Sequence, residues 1–311
     1  MPTRRRAVRR PQTLREHVLW GAREFRRARL YFGHGTADAQ EDAYQLVVHA
    51  LRLPHELPEV ALEQPLSAAQ SRRVLALLRR RLRTREPAAY LTGEAWFAGL
   101  PFHVDRRVLV PRSPIAELIE ARFSPWLGKA PRRVLDLCAG SGCIGIACAY
   151  AFPRARVDLG ELDASALAVA RRNVARHRLR TRVRALRSDL FAALPGPYGL
   201  IVSNPPYVPT AEWRALPAEY HREPRRALDA GRDGMDLVAR ILREAPQHLE
   251  SGGLLVCEIG GSQREFDRRF PRFPGTWAEF ERGGDGVFII TREELAAWLK
   301  ENVRVSRELA N

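Results

Sequence analysis

Lysine is almost absent from this chain of 311 residues. Of its 51 basic residues, only Lys129 and Lys300 are lysine, so arginine carries nearly all the positive charge. The formal net charge of +15 would suggest an anionic partner such as RNA. An arginine bias accompanied by many alanines is also typical of a GC-rich genome. The charge therefore leaves contact with RNA as an open alternative and does not establish it.

Closely spaced metal ligands and paired cysteines are lacking as well. The chain has four cysteines, Cys138, Cys143, Cys148 and Cys257, with no close CxxC pair and no histidine at zinc-ligand spacing. No His, Cys and carboxylate cluster has ligand spacing elsewhere, so we expect no metal site. The cysteines are best interpreted as packed, reduced thiols.

Long apolar runs are also missing. No run approaches the roughly 20 residues that a membrane span needs, and no apolar segment follows the start "MPTRRRAVRR" to make a secretory signal. The sequence therefore predicts a cytoplasmic protein. An arginine-rich start without acidic residues also resembles a mitochondrial transit peptide, so that alternative and the function of this start stay open.

The first part of the chain has helical spacing without strand signals. Residues 12–88 contain "LREHVLWGAREFRRARLYF", "AQEDAYQLVVHALRL" and "AAQSRRVLALLRRRLR", the last preceded by a capping box of Ser67 with Gln70. Pro87 ends the pattern. We therefore predict a small helical domain over residues 1–88, followed by a hairpin or extended connector over 89–112, where short alternating runs appear.

Strands and helices alternate in the rest of the chain. The apolar runs "RVLDL", "RARVDLG", "GLIVS" and "GGLLVCEIG" are separated by helical segments, and "GVFIITREEL" comes last. This alternation predicts an α/β domain over residues 113–311. Its core is expected to be a doubly wound, mostly parallel, Rossmann-like sheet with helices on both faces and a late hairpin at one edge.

A glycine-rich turn follows the first of these strands. In "VLDLCAGSGCIG", Asp136 lies at the strand end, and Gly140, Gly142 and Gly145 lead into a helix. Glycines let the backbone approach a ligand closely, and a helix start supplies free N–H donors. The spacing also matches the weak G-x-G-x-x-G pattern of dinucleotide sites. A tight turn without any ligand is the third interpretation.

Carboxylates follow the next two strands. Glu161 lies about twenty residues beyond the glycines, where a carboxylate can accept both ribose hydroxyls of an adenosine. Asp189, in "SDLF", could accept from an adenine amino group. Either residue could instead be a solvated strand end. Because ligands bind at the carboxyl edge of doubly wound sheets, the three strand ends together predict a nucleoside site.

The fourth strand end carries Asn204-Pro205-Pro206-Tyr207 in "IVSNPPYVPT". A hydride-transfer enzyme has no use for this sequence, whereas a nitrogen methyltransferase does. An amide oxygen and a backbone carbonyl can each accept an N–H from a delocalised nitrogen, which turns its lone pair toward the methyl group. The prolines fix these acceptors in advance, and Tyr207 can lie flat against a planar target.

These residues resemble a known family. Asp136 with the glycine turn, Glu161 and "NPPY" look like a class I S-adenosylmethionine-dependent methyltransferase of the HemK type, the protein-(glutamine N5) methyltransferases. "YLTGEAWFAGLPFHVDRRVLVPRSPIAELI", "EPRRALDAGRDGMDL" and "EFERGGDGVFIITREEL" are similar to the branch that modifies large-subunit ribosomal protein L-three. The resemblance covers roughly residues 89–300 and departs at Ala139, where Thr is usual, and at Glu161, where Asp is usual.

The resemblance implies roles for the cofactor residues, with S-adenosylmethionine as the cofactor. Gly140 and Gly142 would pass its methionine part, Glu161 would hold the ribose and Asp189 would lie near the adenine. Asp136 would orient the amine through water or only cap the turn. Three further residues are implied at the cofactor: Pro111, Arg112 and Asn204.

The resemblance likewise implies that Asn204, Pro205 and Tyr207 are catalytic and, together with Pro206, hold the substrate glutamine. No general base is assigned. The implied partner is a large-subunit ribosomal protein, with rRNA nearby. The helical segment would select this macromolecular substrate; alternatively it only covers a face of the catalytic domain.

Other functions stay open at this point. They are glutamine methylation of a release factor, methylation of adenine N6 in DNA or RNA, dinucleotide binding and a non-catalytic RNA scaffold. The release-factor branch usually has an acidic residue soon after Pro-Arg-Pro, where this chain has Pro111-Arg112-Ser113-Pro114-Ile115. No domain for reading bases or flipping a nucleotide is visible.

Overall fold

The computed structural model describes the backbone of residues 11–308 and side chains up to Glu301. The arginine-rich start at residues 1–10, for which a transit peptide stayed open, lies outside the described residues. The chain divides into two compact units. The helical unit comprises the residues up to Gly93 together with Pro217–Arg222, and the catalytic unit comprises Glu94–Leu216 and the residues from Glu223 onward.

The helical unit is built from amphipathic helices around one apolar core. Its helices are α1 (Leu14–Arg27), α2 (Ala39–Leu51), α3 (Glu59–Leu62), α4 (Ala68–Thr84) and α5 (Ala88–Thr92).

The two longest helices of this unit, α4 and α1, begin with capping boxes. Ser67 and Gln70 bond each other's backbone at the start of α4, as the sequence predicts, and Thr13 and Glu16 do the same for α1. These bonds satisfy N–H groups that a helix start leaves unpaired. Each capped helix then buries one apolar face in the shared core.

The interior of the helical unit also holds a buried set of charges, the arginine–carboxylate cluster of Asp42, Arg81, Arg85 and Glu219. Arg81 Nε donates to Asp42 at 2.8 Å, and Arg85 pairs with Glu219 at 2.8 Å. Glu219 also accepts from the backbone N–H of Tyr31 at 3.1 Å. Because Glu219 lies in Pro217–Arg222, this cluster holds that late segment within the helical unit.

The catalytic unit contains a small hairpin and a seven-stranded sheet. Its strands are β1 (Glu94–Phe97), β2 (Leu100–His103), β3 (Arg133–Leu137), β4 (Arg156–Glu161), β5 (Val183–Arg187), β6 (Tyr198–Ser203), β7 (Leu249–Glu258), β8 (Thr276–Trp277) and β9 (Val287–Thr291). Strands β1 and β2 form the hairpin, and the sheet order is β5-β4-β3-β6-β7-β9-β8. Only the pairings of β9 with β7 and β8 are antiparallel within the described sheet.

Helices cover both faces of this sheet. They are α6 (Ile115–Glu120), α7 (Cys143–Ala151), α8 (Ala164–Arg176), α9 (Thr210–Ala215), α10 (Asp236–His248), α11 (Gln263–Arg269) and α12 (Arg292–Glu308), with a single 3₁₀ turn at Arg225–Ala227. A second 3₁₀ turn, Tyr220–Arg222, belongs to the helical unit. Successive residues of one strand enter opposite layers of the core. Val134 packs with the layer of α6, α7 and α8, whereas Leu135 packs with that of α10, α11 and α12.

The fold class predicted from the sequence is confirmed. Strands that are buried on both faces read as continuous apolar runs, which is why "RVLDL" and "GLIVS" identify the central parallel strands. The strand order reverses between β3 and β6, and the predicted site residues follow strands on both sides of that point. Ligands bind doubly wound sheets at such a reversal.

All four cysteines are free thiols, and three of them are buried. None of the described helices is long and apolar enough to cross a membrane.

Candidate active site

A cavity of about 170 Å³ opens at the carboxyl edge of the sheet, within the catalytic unit. Its wall brings together residues from the connector and from four successive strand ends. The predicted site residues that line it are Pro111, Arg112, Gly140, Glu161, Asp189, Asn204 and Pro206. Four other predicted site residues lie in the segments that form the wall but do not line it themselves: Asp136, Gly142, Pro205 and Tyr207.

The glycine turn is held close to the neighbouring strand. Ala139 N–H donates to the carbonyl of Gly160 in β4 at 3.1 Å, and Gly140 and Gly142 have φ of +54° and +78°. A Cβ at Gly142 would lie 2.9 Å from Leu159 Cδ1, so the turn packs too tightly for a side chain. The tight turn and the start of α7 together form one wall of the cavity.

Asp136 is fully buried beneath this turn. One carboxyl oxygen accepts from the Gly145 N–H at 2.8 Å, and the other, Oδ1, is buried without a hydrogen-bond partner. Burial raises the pKa of Asp136 to about 7, the Gly145 bond opposes the shift, and the charge of Glu161 adds to it. A buried carboxyl oxygen without a partner is what a cationic ligand or a bound water would satisfy.

Glu161 spans the glycine turn and the end of β4. Its carboxylate accepts from the N–H groups of Gly140 at 2.9 Å and Asp163 at 2.8 Å. Burial raises the pKa of Glu161 despite these two bonds. Each oxygen accepts one of these bonds and keeps a second lone pair, which is the acceptor capacity that a ribose diol needs.

Asp189 lies at the rim of the cavity, where it is half-exposed. Arg240 of α10 donates to it at 2.9 Å, an ion pair that the sequence interpretation did not identify. The pair fixes the Asp189 carboxylate at the edge of the cavity. To bind an adenine amino group as well, the Asp189 carboxylate must accept from two donors at once, Arg240 and the amino group.

The Asn204-Pro205-Pro206-Tyr207 segment begins where β6 ends. Ser203 Oγ donates to the carbonyl of Leu137 in β3 at 2.9 Å and so ties the strand end to its neighbour. The Tyr207 carbonyl accepts from Ser262 Oγ at 3.1 Å, and a Cβ at Gly234 would lie only 2.1 Å from that carbonyl. The motif is therefore fixed from several sides.

Glu258, at the end of β7, was missed by the sequence interpretation. It is buried beside the motif and accepts from the hydroxyls of Ser113 and of Tyr207, the latter at 3.3 Å. The Asn204 side chain lies beside this carboxyl and opposes the rise in its pKa. The available signal was a carboxylate that ends the apolar run "GGLLVCE", directly beside the strand that carries Asn204.

Glu223 was missed as well. Arg112 makes two bonds to its carboxylate, at 2.8 and 2.7 Å, and the Val110 N–H donates to it at 3.0 Å. A bidentate pair of this kind fixes both partners. The pair joins the connector to the segment that begins at Glu223. Pro224 and Arg226 of that segment line the cavity. Arg226 in turn pairs with Asp163 at 3.0 Å.

The chemistry that the cavity supports follows from its lining. Its lining offers carboxylates, backbone donors and an asparagine amide, together with free thiols whose pKa is raised by burial. Among the side chains described, no group of three or more His, Cys, Asp or Glu residues could hold a metal ion. The expected absence of a metal stays a prediction.

Two families match parts of the chain. Residues 122–220 match the methyltransferase small domain, and residues 21–93 match the PrmC N-terminal domain. The ribosomal protein uL3 glutamine methyltransferase of Xanthomonas campestris pv. campestris is 50% identical over 287 residues, which are 92% of this chain and 93% of that protein. Its counterpart in Xylella fastidiosa is 49% identical and covers 92% of each chain.

Solved structures are similar at lower identity. A methyltransferase from Pyrococcus furiosus is 21% identical, with a TM-score of 0.46, over 62% of this chain and 89% of that one. The 16S rRNA N2 G1207 methyltransferase of T. thermophilus, in complex with AdoMet and guanosine, is 20% identical, with a TM-score of 0.43, over 64% of this chain and 49% of its own.

Proposed function

The chain belongs to the family of ribosomal protein uL3 glutamine methyltransferases, and we propose that it methylates the side-chain amide nitrogen of a glutamine in that ribosomal protein, with S-adenosylmethionine as the methyl donor. The observation that carries this proposal is the cavity in which the Glu161 carboxylate and the Asn204 amide face a common space. One group suits a ribose and the other suits an amide nitrogen.

The residues of the cavity fit this cofactor. Glu161 would accept the ribose hydroxyls, and the backbone at Gly140 leaves room for the methionine part. The partnerless Asp136 Oδ1 would face the cofactor's positive charge, directly or through a water molecule. Asp189, held by Arg240, would accept from the adenine amino group. When bound, S-adenosylmethionine supplies a methyl group on a positively charged sulfur, which leaves as a neutral thioether.

The motif at the end of β6 would orient the substrate amide. The Asn204 side-chain oxygen and the Pro205 carbonyl would each accept one N–H of the glutamine, which turns the nitrogen lone pair toward the methyl carbon. The C–N bond would form as the C–S bond breaks, and the nitrogen would then lose its surplus proton to water. Tyr207 would lie against the planar amide while it carries positive charge.

The helical unit would select the macromolecular substrate, because a glutamine side chain alone offers too little surface to specify one protein. Leu19 and Val60 are exposed apolar residues of this unit. Replacing Leu19 with Glu should raise KM for the ribosomal protein and leave the cofactor Kd unchanged. An unchanged KM in both L19E and V60E would favour the alternative that the helical segment only covers a face of the catalytic domain.

A labelling experiment tests the reaction. The protein is incubated with methyl-labelled S-adenosylmethionine and a lysate that lacks the modification, and the product is separated into protein and nucleic acid. We expect label on a glutamine of the ribosomal protein. Label on a release factor or on adenine would establish one of the alternatives, and the absence of any labelled product would contradict methyl transfer.

The state of the substrate can be resolved in the same experiment. Ribonuclease treatment of the lysate should leave labelling unchanged if the free ribosomal protein is the substrate, and should abolish it if an assembling ribosome with nearby rRNA is required. Because ribosomal proteins are made and assembled in the cytoplasm, the cytoplasm remains the proposed location.

A further inference from the structure

Glu258 has hydrogen-bond donors from two distant parts of the chain. Its carboxyl accepts from the Ser113 hydroxyl, directly after the connector, and from the Tyr207 hydroxyl in the motif after β6. The Asn204 side-chain amide lies beside the same carboxyl and lowers its pKa as a donor would. Glu258 itself is 5% exposed. All three partners are neutral, so the carboxyl is held by donors and not by a direct ion pair with them.

This arrangement decides how the Asn204 amide is turned. The two orientations of an asparagine amide have the same shape and differ only in which atom donates and which accepts. An ionised carboxylate only accepts, so Asn204 presents its Nδ2–H to Glu258. The Oδ1 atom is then the part of the amide that remains for another donor.

We propose that Glu258 is a positioning residue of the active site: it fixes the Asn204 amide with Oδ1 toward the substrate nitrogen and anchors the Tyr207 ring through its hydroxyl. This inference rests on the proposed function, because only a substrate that donates an N–H gains from that orientation of the amide. Glu258 contacts no reacting atom in this mechanism and acts through Asn204 and Tyr207.

The position of the Tyr207 ring supports the same role. The ring lies against Gly260, two residues beyond Glu258, where a Cβ would lie 2.8 Å from ring atom Cε2. Gly260 therefore leaves the space that the ring occupies, and Glu258 accepts from the hydroxyl at the ring's end. The end of β7 thus fixes both side chains of the motif that the proposed mechanism uses.

The protonation of Glu258 connects this geometry to pH. Burial raises the pKa of Glu258 to about 7, against the hydroxyl donors and the charge of Arg112. The titratable or charged groups that face it are Arg112 from the connector, Tyr207 from the motif and the adjacent Cys257 thiol. A protonated carboxyl can donate to Asn204 Oδ1, which reverses the amide. Methyl transfer should therefore rise as pH passes through about 7.

The test compares Glu258→Gln with a matched variant at another buried carboxylate. Asp158 in β4 also accepts from a buried tyrosine hydroxyl, that of Tyr198 at 3.0 Å, but it does not line the cavity. We expect E258Q to lower kcat about tenfold to a hundredfold, as loss of an outer-shell partner does, and to weaken the rise near pH 7, to which Asp136 also contributes. Its cofactor Kd should stay within about twofold of wild type.

The control has a different expected result. Asp158→Asn should lower the thermal midpoint, because it weakens the pairs with Arg133 and Arg184, and should keep both kcat and the pH rise. Wild-type kcat and an unchanged pH rise in E258Q would overturn the proposal. So would an E258Q protein that loses cofactor affinity and thermal stability in parallel with kcat, since that is the behaviour of a structural residue.

A double variant tests whether Glu258 acts through Asn204. If it does, adding E258Q to Asn204→Ala should lower kcat by less than E258Q does alone, whereas independent effects would multiply. Multiplicative losses would contradict the proposal.

A readout without substrate separates this inference from the proposed function. The side-chain amide signals of Asn204, assigned by their loss in N204A, should shift with pH near 7 in the wild type and not in E258Q. If these signals are independent of pH between 6 and 8 in the wild type, the inference fails. A wild-type protein that does not methylate the ribosomal protein would count against the proposed function alone.

Discussion

Glu219 in the helical unit and Glu258 in the catalytic unit are both almost completely buried carboxylates, at 0% and 5% exposure, yet they face different partners. Glu219 meets two arginines, with Arg85 at 2.8 Å and Arg81 at 3.9 Å. Glu258 accepts from two hydroxyls and lies beside an amide, and burial raises its pKa to about 7.

This difference separates a structural use of buried charge from a functional one. Removing one partner of a buried ion pair leaves an uncompensated charge, which costs stability. A buried carboxyl with only neutral donors beside it can have a pKa near 7, so that it gains or loses its proton near neutral pH. Groups with such shifted pKa values concentrate at functional sites. The predictions below test whether the two clusters differ in this way.

The largest expected effect is on the stability of the helical unit. Replacing Arg81 with Met leaves Asp42 and Glu219 with less compensation, so we expect a loss of about 3–5 kcal/mol in the free energy of unfolding. Denaturant unfolding measures it. Arg27→Met, at an exposed pair with Glu24 in the last turn of α1, should cost at most about 1 kcal/mol. Equal losses in the two variants would remove the distinction between buried and surface pairs.

Next in size is the effect of Asn204→Ala on catalysis. Because its hydrogen bond should strengthen in the transition state, we expect kcat to fall about a hundredfold or more, as for loss of one preorganised partner. Steady-state kinetics at saturating cofactor and a calorimetric Kd measure the two parameters. The unfolding free energy and the cofactor Kd should change little. An N204A enzyme with wild-type kcat would remove Asn204 from the mechanism.

Glu161→Gln should act on cofactor binding. One carboxylate oxygen becomes an amide N–H, which can no longer accept from a ribose hydroxyl, so we expect the cofactor Kd to rise about tenfold. Calorimetry with S-adenosylmethionine measures this, with kcat at saturation as the internal control. An unchanged Kd would leave Glu161 as a residue that only braces the glycine turn. Micromolar binding of NAD with none of S-adenosylmethionine would contradict the cofactor assignment itself.

The smallest expected effect is the pH dependence of stability. Glu258 and Asp136 both have a folded pKa raised to about 7, well above the ordinary carboxyl value. Their contribution is therefore fully present below the unfolded pKa and is lost as pH rises through about 7. Each carboxyl should lower the unfolding free energy by about 1 kcal/mol per pH unit between pH 5 and 7. Unfolding curves of E258Q across this range should have a shallower slope than those of wild type, and an identical slope would exclude a raised pKa.

Much of the fold follows from local patterns. Alternating apolar runs and helices predict the mostly parallel sheet, and Ser67 with Gln70 predicts the start of α4; the structure confirms both. Membership of the glutamine methyltransferase family, predicted from the NPPY segment and its flanking motifs, is confirmed by the relatives. These features depend on residues close in sequence, where periodicity and spacing carry the information.

Only the part of the site that the sheet topology brings together could be predicted from the sequence. Gly140, Glu161 and Asn204 follow parallel strands, and the carboxyl ends of such strands share one edge. The roles of these residues remain predictions. Ser113, Glu223 and Glu258 could not be identified in the same way, because what distinguishes each is a partner far away in the chain. Only packing reveals that these polar side chains are buried together.

Pro217–Arg222 carries a consequence for the synthesis of the protein. Arg81 and Arg85 leave the ribosome long before Glu219 does, and strands β3 to β6 are made in between. Domains generally fold in order as the chain emerges. Here the first unit in sequence lacks its last carboxylate until more than half of the second has been translated. The helical unit therefore cannot be completed as soon as its own helices are made, and its completion has to wait for translation of a large part of the catalytic unit.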